Sequence, residues 1–92
     1  MDPLEAFVDE GIVRSVRLGY NPTTFQRMRR DQGTVVAITK LVQSGDMQSG
    51  FRRLADLGLL EWSIEAAVMK FPERFSIAAH ECAEFRMRLV AK

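Results

Sequence analysis

The sequence predicts an all-α protein, a compact bundle of five or six short helices. Apolar residues recur every three or four positions, and no stretch alternates with period two for long enough to build a sheet. Pro, Gly, Asn and Ser stand at intervals that start and stop helices.

Asp2-Pro3 reads as an N-cap with proline at the first helical position, where a missing N–H costs nothing. Leu4, Phe7, Val8, Ile12 and Val16 follow at helical spacing as the inner side of a first helix that ends before Gly19. Asn21-Pro22 repeats the start signal for a second, short helix. Phe25 and Met28 point inward from it, while Arg27, Arg30 and Asp31 point outward, and Gly33 stops it. A third helix, about Thr34 to Gln43, buries Val35, Ile38, Leu41 and Val42, and the Ser44-Gly45-Asp46 cluster ends it.

Ser49 is placed to cap a fourth helix with Phe51, Leu54, Ala55 and Leu57 inside and Arg52, Arg53 and Asp56 outside. Gly58-Leu59 has the form of a Schellman stop, a left-handed glycine followed by an apolar residue. Leu60-Glu61-Trp62 then reads as an extended link. Ser63 caps a fifth helix carrying Ile64, Ala67, Val68 and Phe71, and Pro72 closes it. Ser76 opens the last helix. There Ala78, Cys82, Phe85 and Leu89 form the predicted buried stripe, with His80, Glu84 and Arg88 opposite. With 92 residues, 47% of them hydrophobic, and no linker, repeat or low-complexity segment, the chain is expected to form one helical domain over 1–92.

Several classes are set aside by composition. Low hydrophobicity with high net charge, the mark of disorder, is absent, since the formal charge is only +1. The single Cys82 makes no internal disulfide and suits a reducing compartment. No apolar run approaches the ~18–20 residues of a membrane span, and the opening Met1-Asp2-Pro3-Leu4-Glu5 is unlike a signal peptide. A cytoplasmic protein without a membrane role is the expectation.

Motifs for chemistry are missing as well. The glycines are dispersed among helix ends rather than gathered into a phosphate loop, and one His with one Cys cannot hold zinc in a tetrahedral site. His80 and Cys82, two apart on a helix, point roughly 200° apart and cannot serve as nucleophile and base. No catalytic, metal or cofactor residues are assigned, no small-molecule ligand is expected, and the protein is read as a non-enzyme.

The charge distribution is uneven: residues 1–13 carry −4, residues 14–53 carry +6 and the remainder −1. Ten of the thirteen bases are Arg, the side chain suited to planar, bidentate recognition of carboxylate or phosphate. Opening and middle are therefore complementary, within one chain or across a symmetric pair, and the leading reading is a module that binds another protein or a second copy of itself. Arg27, Arg30, Lys40, Arg52 and Arg53 are the candidate contact residues. Trp62 is a further candidate as a partner anchor, although a lone Trp beside Leu59 and Leu60 more often roofs a small core. The alternative partner is nucleic acid. Reading Ala37 to Asp56 as a helix-turn-helix puts Leu41 in the first helix, Gly45 at the turn and Phe51 and Leu54 on the buried side of the second. Arg52 and Arg53 then project from the recognition helix, and Arg27, Arg30 and Lys40 reach phosphates. Asp46 at the turn and Gly50 at the second helix's start depart from that pattern.

Gly19-Tyr20-Asn21-Pro22-Thr23-Thr24-Phe25, Met28, Gly33, Ala37 and Leu41 lead to Ser49-Gly50-Phe51-Arg52-Arg53-Leu54 and Leu57-Gly58-Leu59-Leu60-Glu61-Trp62-Ser63-Ile64-Glu65-Ala66. This series resembles a family of small bacterial helical domains of unknown function, over about residues 19–90. The resemblance implies a helical fold in a free-standing protein, or in a segment attached to larger, sometimes nuclease-like, polypeptides, with an accessory or interaction role. Leu60-Glu61-Trp62 departs from the family's Arg-Leu-Asp-Leu-like run.

Overall fold

The computed structural model describes residues 2–44 and 49–90 and, for Ser49, the backbone alone. Six α-helices follow one another, with no strand among the described residues: α1 Pro3–Arg17, α2 Thr23–Gln32, α3 Thr34–Val42, α4 Ser49–Asp56, α5 Ile64–Lys70 and α6 Ile77–Val90. Two 3₁₀ turns, Leu60–Trp62 and Pro72–Arg74, flank α5. The predicted Gly45-Asp46 turn and the Ser49 side-chain cap lie outside the described residues. The Cα radius of gyration is 11.9 Å, against about 12 Å for a globule of this length. No helix among the described residues is long and apolar enough to cross a membrane.

Helix ends follow local chemistry. The Asp2 carboxylate accepts from the Leu4 N–H at 2.9 Å, Ser63 Oγ accepts from Ala66 N–H at 3.0 Å, and Ser76 Oγ accepts from Ala79 N–H at 3.1 Å, so three of the predicted caps form. After α4, Gly58 at φ 74° lets Leu59 N–H reach the Leu54 carbonyl (2.8 Å) and Gly58 N–H the Ala55 carbonyl (3.1 Å), the two bonds of a Schellman stop. Helix α2 begins at Thr23, one residue later than the Asn21-Pro22 signal predicts: the Asn21 side-chain oxygen accepts from the Gln26 amide (2.6 Å) and caps no backbone N–H. Leu60-Glu61-Trp62 is not extended. The Trp62 and Ser63 N–H groups donate to the Leu59 and Leu60 carbonyls three residues back, winding the link into a 3₁₀ turn.

The core gathers around α3. Ala37, Ile38 and Val42 meet Leu4 and Val8 of α1, Phe25 of α2, Ala67 and Val68 of α5, and Ala79 and Ala83 of α6. Two predicted stripes differ in part. On α1 Leu4 and Val8 are buried and Phe7 and Ile12 pack half-buried against the core, the buried line continues through Gly11 and Ser15, and Val16 is exposed. Gly11 belongs to that line because the backbone itself closes on the 3₁₀ turn there: a Cβ would stand 2.8 Å from the Trp62 carbonyl oxygen. On α6 the buried residues are Ala79, Ala83 and Arg86, and the predicted inner stripe faces elsewhere. Small alanines let α6 lie close against α5 and α3.

Beneath that contact lies a charge pair. Arg86 Nη1 donates to Glu65 Oε2 at 3.0 Å, with side chains only 6% and 1% exposed, and Arg86 Nη2 donates to the Ser44 carbonyl and hydroxyl oxygens, both at 3.0 Å. Burial pushes the Glu65 carboxyl above its ordinary range, and the Arg86 hydrogen bond and charge pull it back. The pair ties α6 to α5 and to the end of α3.

Candidate interaction surface

Every acid of the opening segment is engaged within the chain. Asp2 pairs with Arg74 (3.0 Å), Glu5 and Asp9 with Arg29 (2.6 and 2.8 Å), and Glu10 with Arg14 (2.9 Å). Arg29 also donates through Nε to the Thr34 hydroxyl at 2.9 Å, which in turn donates to Glu5 at 2.7 Å, so one guanidinium ties α1 to the junction of α2 and α3. The Arg29 hydrogen bond, then that of Thr34, holds the Glu5 carboxyl below its ordinary range, and Arg74 does the same for Asp2. Within the monomer Glu5, Asp9 and Glu10 of the opening are thus matched by Arg29 and Arg14 of the middle, and Asp2 by Arg74.

The candidate cations fall on separate elements. Arg27 and Arg30 lie three residues apart along the exposed side of α2, Arg30 with Asp31 at 3.6 Å. Lys40, exposed on α3, donates to the Gln32 side chain. Arg52 and Arg53 are exposed on α4, which packs chiefly on the 3₁₀ turn Leu60–Trp62. Among the described residues no carboxylate pairs with Arg27, Arg52 or Arg53. Helix α3 packs chiefly on α2, α5 and α6, and six residues separate it from α4. A helix-turn-helix packs its two helices together; among the described residues α3 and α4 make few direct contacts, although Leu41, Phe51 and Leu54 border one cavity.

Trp62 belongs to its own chain. Its indole stacks on Phe7 with centroids 5.0 Å apart and planes 21° apart, and the Arg14 guanidinium covers it at 4.4 Å. It roofs the contact between α1 and the 3₁₀ turn. Beside it opens a cavity of about 160 Å³, walled by Phe7, Ile12, Phe25, Phe51, Leu54 and Ile64 with the Tyr20 ring at one side. Among the described residues no fully buried side-chain polar atom lacks a hydrogen-bond partner. No group of three His, Cys, Asp or Glu gathers as for a metal among the described residues.

The surface that stands out is on α6. Phe85 is 61% exposed, Leu89 47% and Ile77 81%, Ala78 is exposed, and Cys82 is half-buried. Residues 78, 82, 85 and 89 fall within a strip of roughly 60° on a helix that turns about 100° per residue, and the buried Ala79, Ala83 and Arg86 form a second strip about 100° away. The stripe predicted as core therefore exists, but it looks out of the bundle. Ile77, Glu81, Glu84 and Arg88 flank it, with Arg88 and Glu84 paired at 3.3 Å. Exposed Val13, Val16, Leu18 and Val36 are smaller apolar surfaces on α1 and α3 and in the loop that follows α1. Phe85 and Leu89 were missed as surface residues because periodicity marks a stripe without telling which way it faces. Ala79 and Ala83, small residues on the neighbouring side, were the available signal.

No known family model matches this chain, and no curated protein or solved structure matches it.

Proposed function

We propose that the protein is a small, non-enzymatic docking module that binds another protein through the outward side of α6, as an accessory or interaction domain. The exposed line Ala78–Cys82–Phe85–Leu89 carries this reading. A regular apolar row on a helix whose other side already serves the core stands in water in the monomer, and burying it against a partner contributes about 25 cal/mol per Å² of apolar surface removed from water. Helix-in-groove recognition uses anchors at such i, i+3, i+4 and i+7 spacings.

Nucleic acid is the weaker reading. Arg52 and Arg53 stand on α4 and the other candidate cations on α2 and α3, and among the described residues α3 and α4 make few direct contacts, where a helix-turn-helix packs its two helices together.

Selecting a displayed library of amphipathic helical peptides against the folded chain tests the proposal. Binders are expected whose affinity falls at least about tenfold on Phe85→Ser/Leu89→Ser, a loss of about 1.4 kcal/mol, and is unmoved by Arg52→Ala/Arg53→Ala. Obtaining no binder, or only binders indifferent to the α6 pair, contradicts it. Salt-dependent binding of duplex DNA that vanishes with the arginine pair would replace it with the nucleic-acid reading.

A further inference from the structure

We infer that the partner of this face is a second copy of the chain, with two α6 helices pairing antiparallel through Ala78, Cys82, Phe85 and Leu89; the inference rests on the docking reading above. The line reads the same from either end. Its steps are four, three and four residues, so a two-fold axis passing between positions 83 and 84 sets Ala78 against Leu89 of the other copy and Cys82 against Phe85 of the other copy. A small residue then meets a large one at every position. Such pairing lets the helices approach while both large side chains leave water.

Charge supports the same register. In an antiparallel pair each flank of one helix faces the equivalent flank of the other. Glu81 and Arg88 share one flank, both exposed, and the two-fold brings Glu81 of each copy beside Arg88 of the other. Among the described residues no cation pairs with Glu81 inside its own chain, while Arg88 reaches Glu84 and has donors to spare for a second carboxylate. A parallel pair would break the small-to-large match, setting Phe85 against Phe85. The core side of α6, Ala79, Ala83 and Arg86, lies about 100° round the helix from the row, so the two-fold sets both globules on one side of the helix pair and leaves the row itself uncovered. Two helices of this length bury little surface, so the dimer belongs to the weak, concentration-dependent class.

Sedimentation velocity of the full chain over about 10 µM to 1 mM tests this, with circular dichroism melts confirming that each variant folds. A reversible monomer–dimer equilibrium is expected. Phe85→Ser should abolish it. Glu81→Arg and Arg88→Glu should each weaken it about tenfold, and Glu81→Arg/Arg88→Glu together should restore it to within about threefold of the parent, because the swap rebuilds both crossed pairs. A chain that stays monomeric throughout, a dimer indifferent to Phe85→Ser, or a charge swap that fails to restore association would each overturn the inference. A monomer that still takes α6-dependent peptides fails the self-pairing alone. A monomer that takes none fails the docking reading with it.

Discussion

Arg86→Ala is expected to lower folding stability by about 3–5 kcal/mol, a large share of the 5–15 kcal/mol that holds a domain of this size together. The side chain it removes is almost wholly enclosed and bonds Glu65 and Ser44 across three segments. The substitution strands the Glu65 carboxylate in the interior. Two further measurements separate that cause from mere lost packing. Glu65→Leu/Arg86→Leu, which removes both charges, should recover most of the loss, since a buried ion pair exchanged for apolar volume is roughly neutral. The deficit of Arg86→Ala should also shrink toward acid. Burial raises the Glu65 carboxyl above its unfolded value, so the folded variant binds the proton more readily than the unfolded chain, and its stability grows as pH falls through the raised titration. Urea melts at neutral pH and near pH 4.5 read both effects. A loss that is equal at both pH values and not recovered by the double variant would assign Arg86 a packing role only.

Arg29→Met should cost about 1–3 kcal/mol, the range for charge-assisted hydrogen bonds, discounted because the Asp9 arm of the network is solvent-exposed. Its pH dependence has the opposite sign. The folded Glu5 carboxyl titrates below its ordinary value, so the contribution of the Arg29 network is complete above about pH 4.3, the ordinary glutamate value, and is lost as pH falls through the depressed one. Acid should therefore destabilise the parent more steeply than Arg29→Met. Chemical denaturation between pH 7 and pH 3 checks this, and parallel pH profiles for the two proteins would contradict it. The methionine keeps the aliphatic volume, so loss of helix packing is not what is measured.

Most of the helix plan was legible in the residues because it is local. Asp2-Pro3, Gly58-Leu59, Ser63 and Ser76 act on neighbours within a turn, and each performs in the structure the capping or stopping role its type and position suggest. What was not legible depends on contacts distant along the chain. Ser15 is buried on α1 although it is polar, because its hydroxyl donates to the Gly11 carbonyl at 2.8 Å and Gly11 lets the Trp62 backbone in. Arg86 lies inside because Glu65 and Ser44 meet it from 21 and 42 residues away. Arg29 lies four residues after Phe25, on the inward side of α2 away from Arg27 and Arg30, but that Glu5 and Asp9 of α1 meet it there depends on contacts 24 and 20 residues distant. The face of α6 was misjudged for a related reason. Phe85 and Leu89 offer more apolar area to bury than Ala79 and Ala83, so hydrophobicity alone favours them as core, whereas the alanines and the paired Arg86 fill the space beside α5 and α3 and the large apolar side chains stay outside.

The dispensability of that outward row for the monomer's fold is open to direct measurement. Urea unfolding of Phe85→Ser/Leu89→Ser, at about 1 µM so that self-association does not contribute, should give a stability within about 0.5 kcal/mol of the parent and an unchanged denaturant slope, as for surface positions. A loss of about 3 kcal/mol or more, the size expected when large core side chains are truncated, would place Phe85 and Leu89 inside the bundle and contradict a docking face on α6.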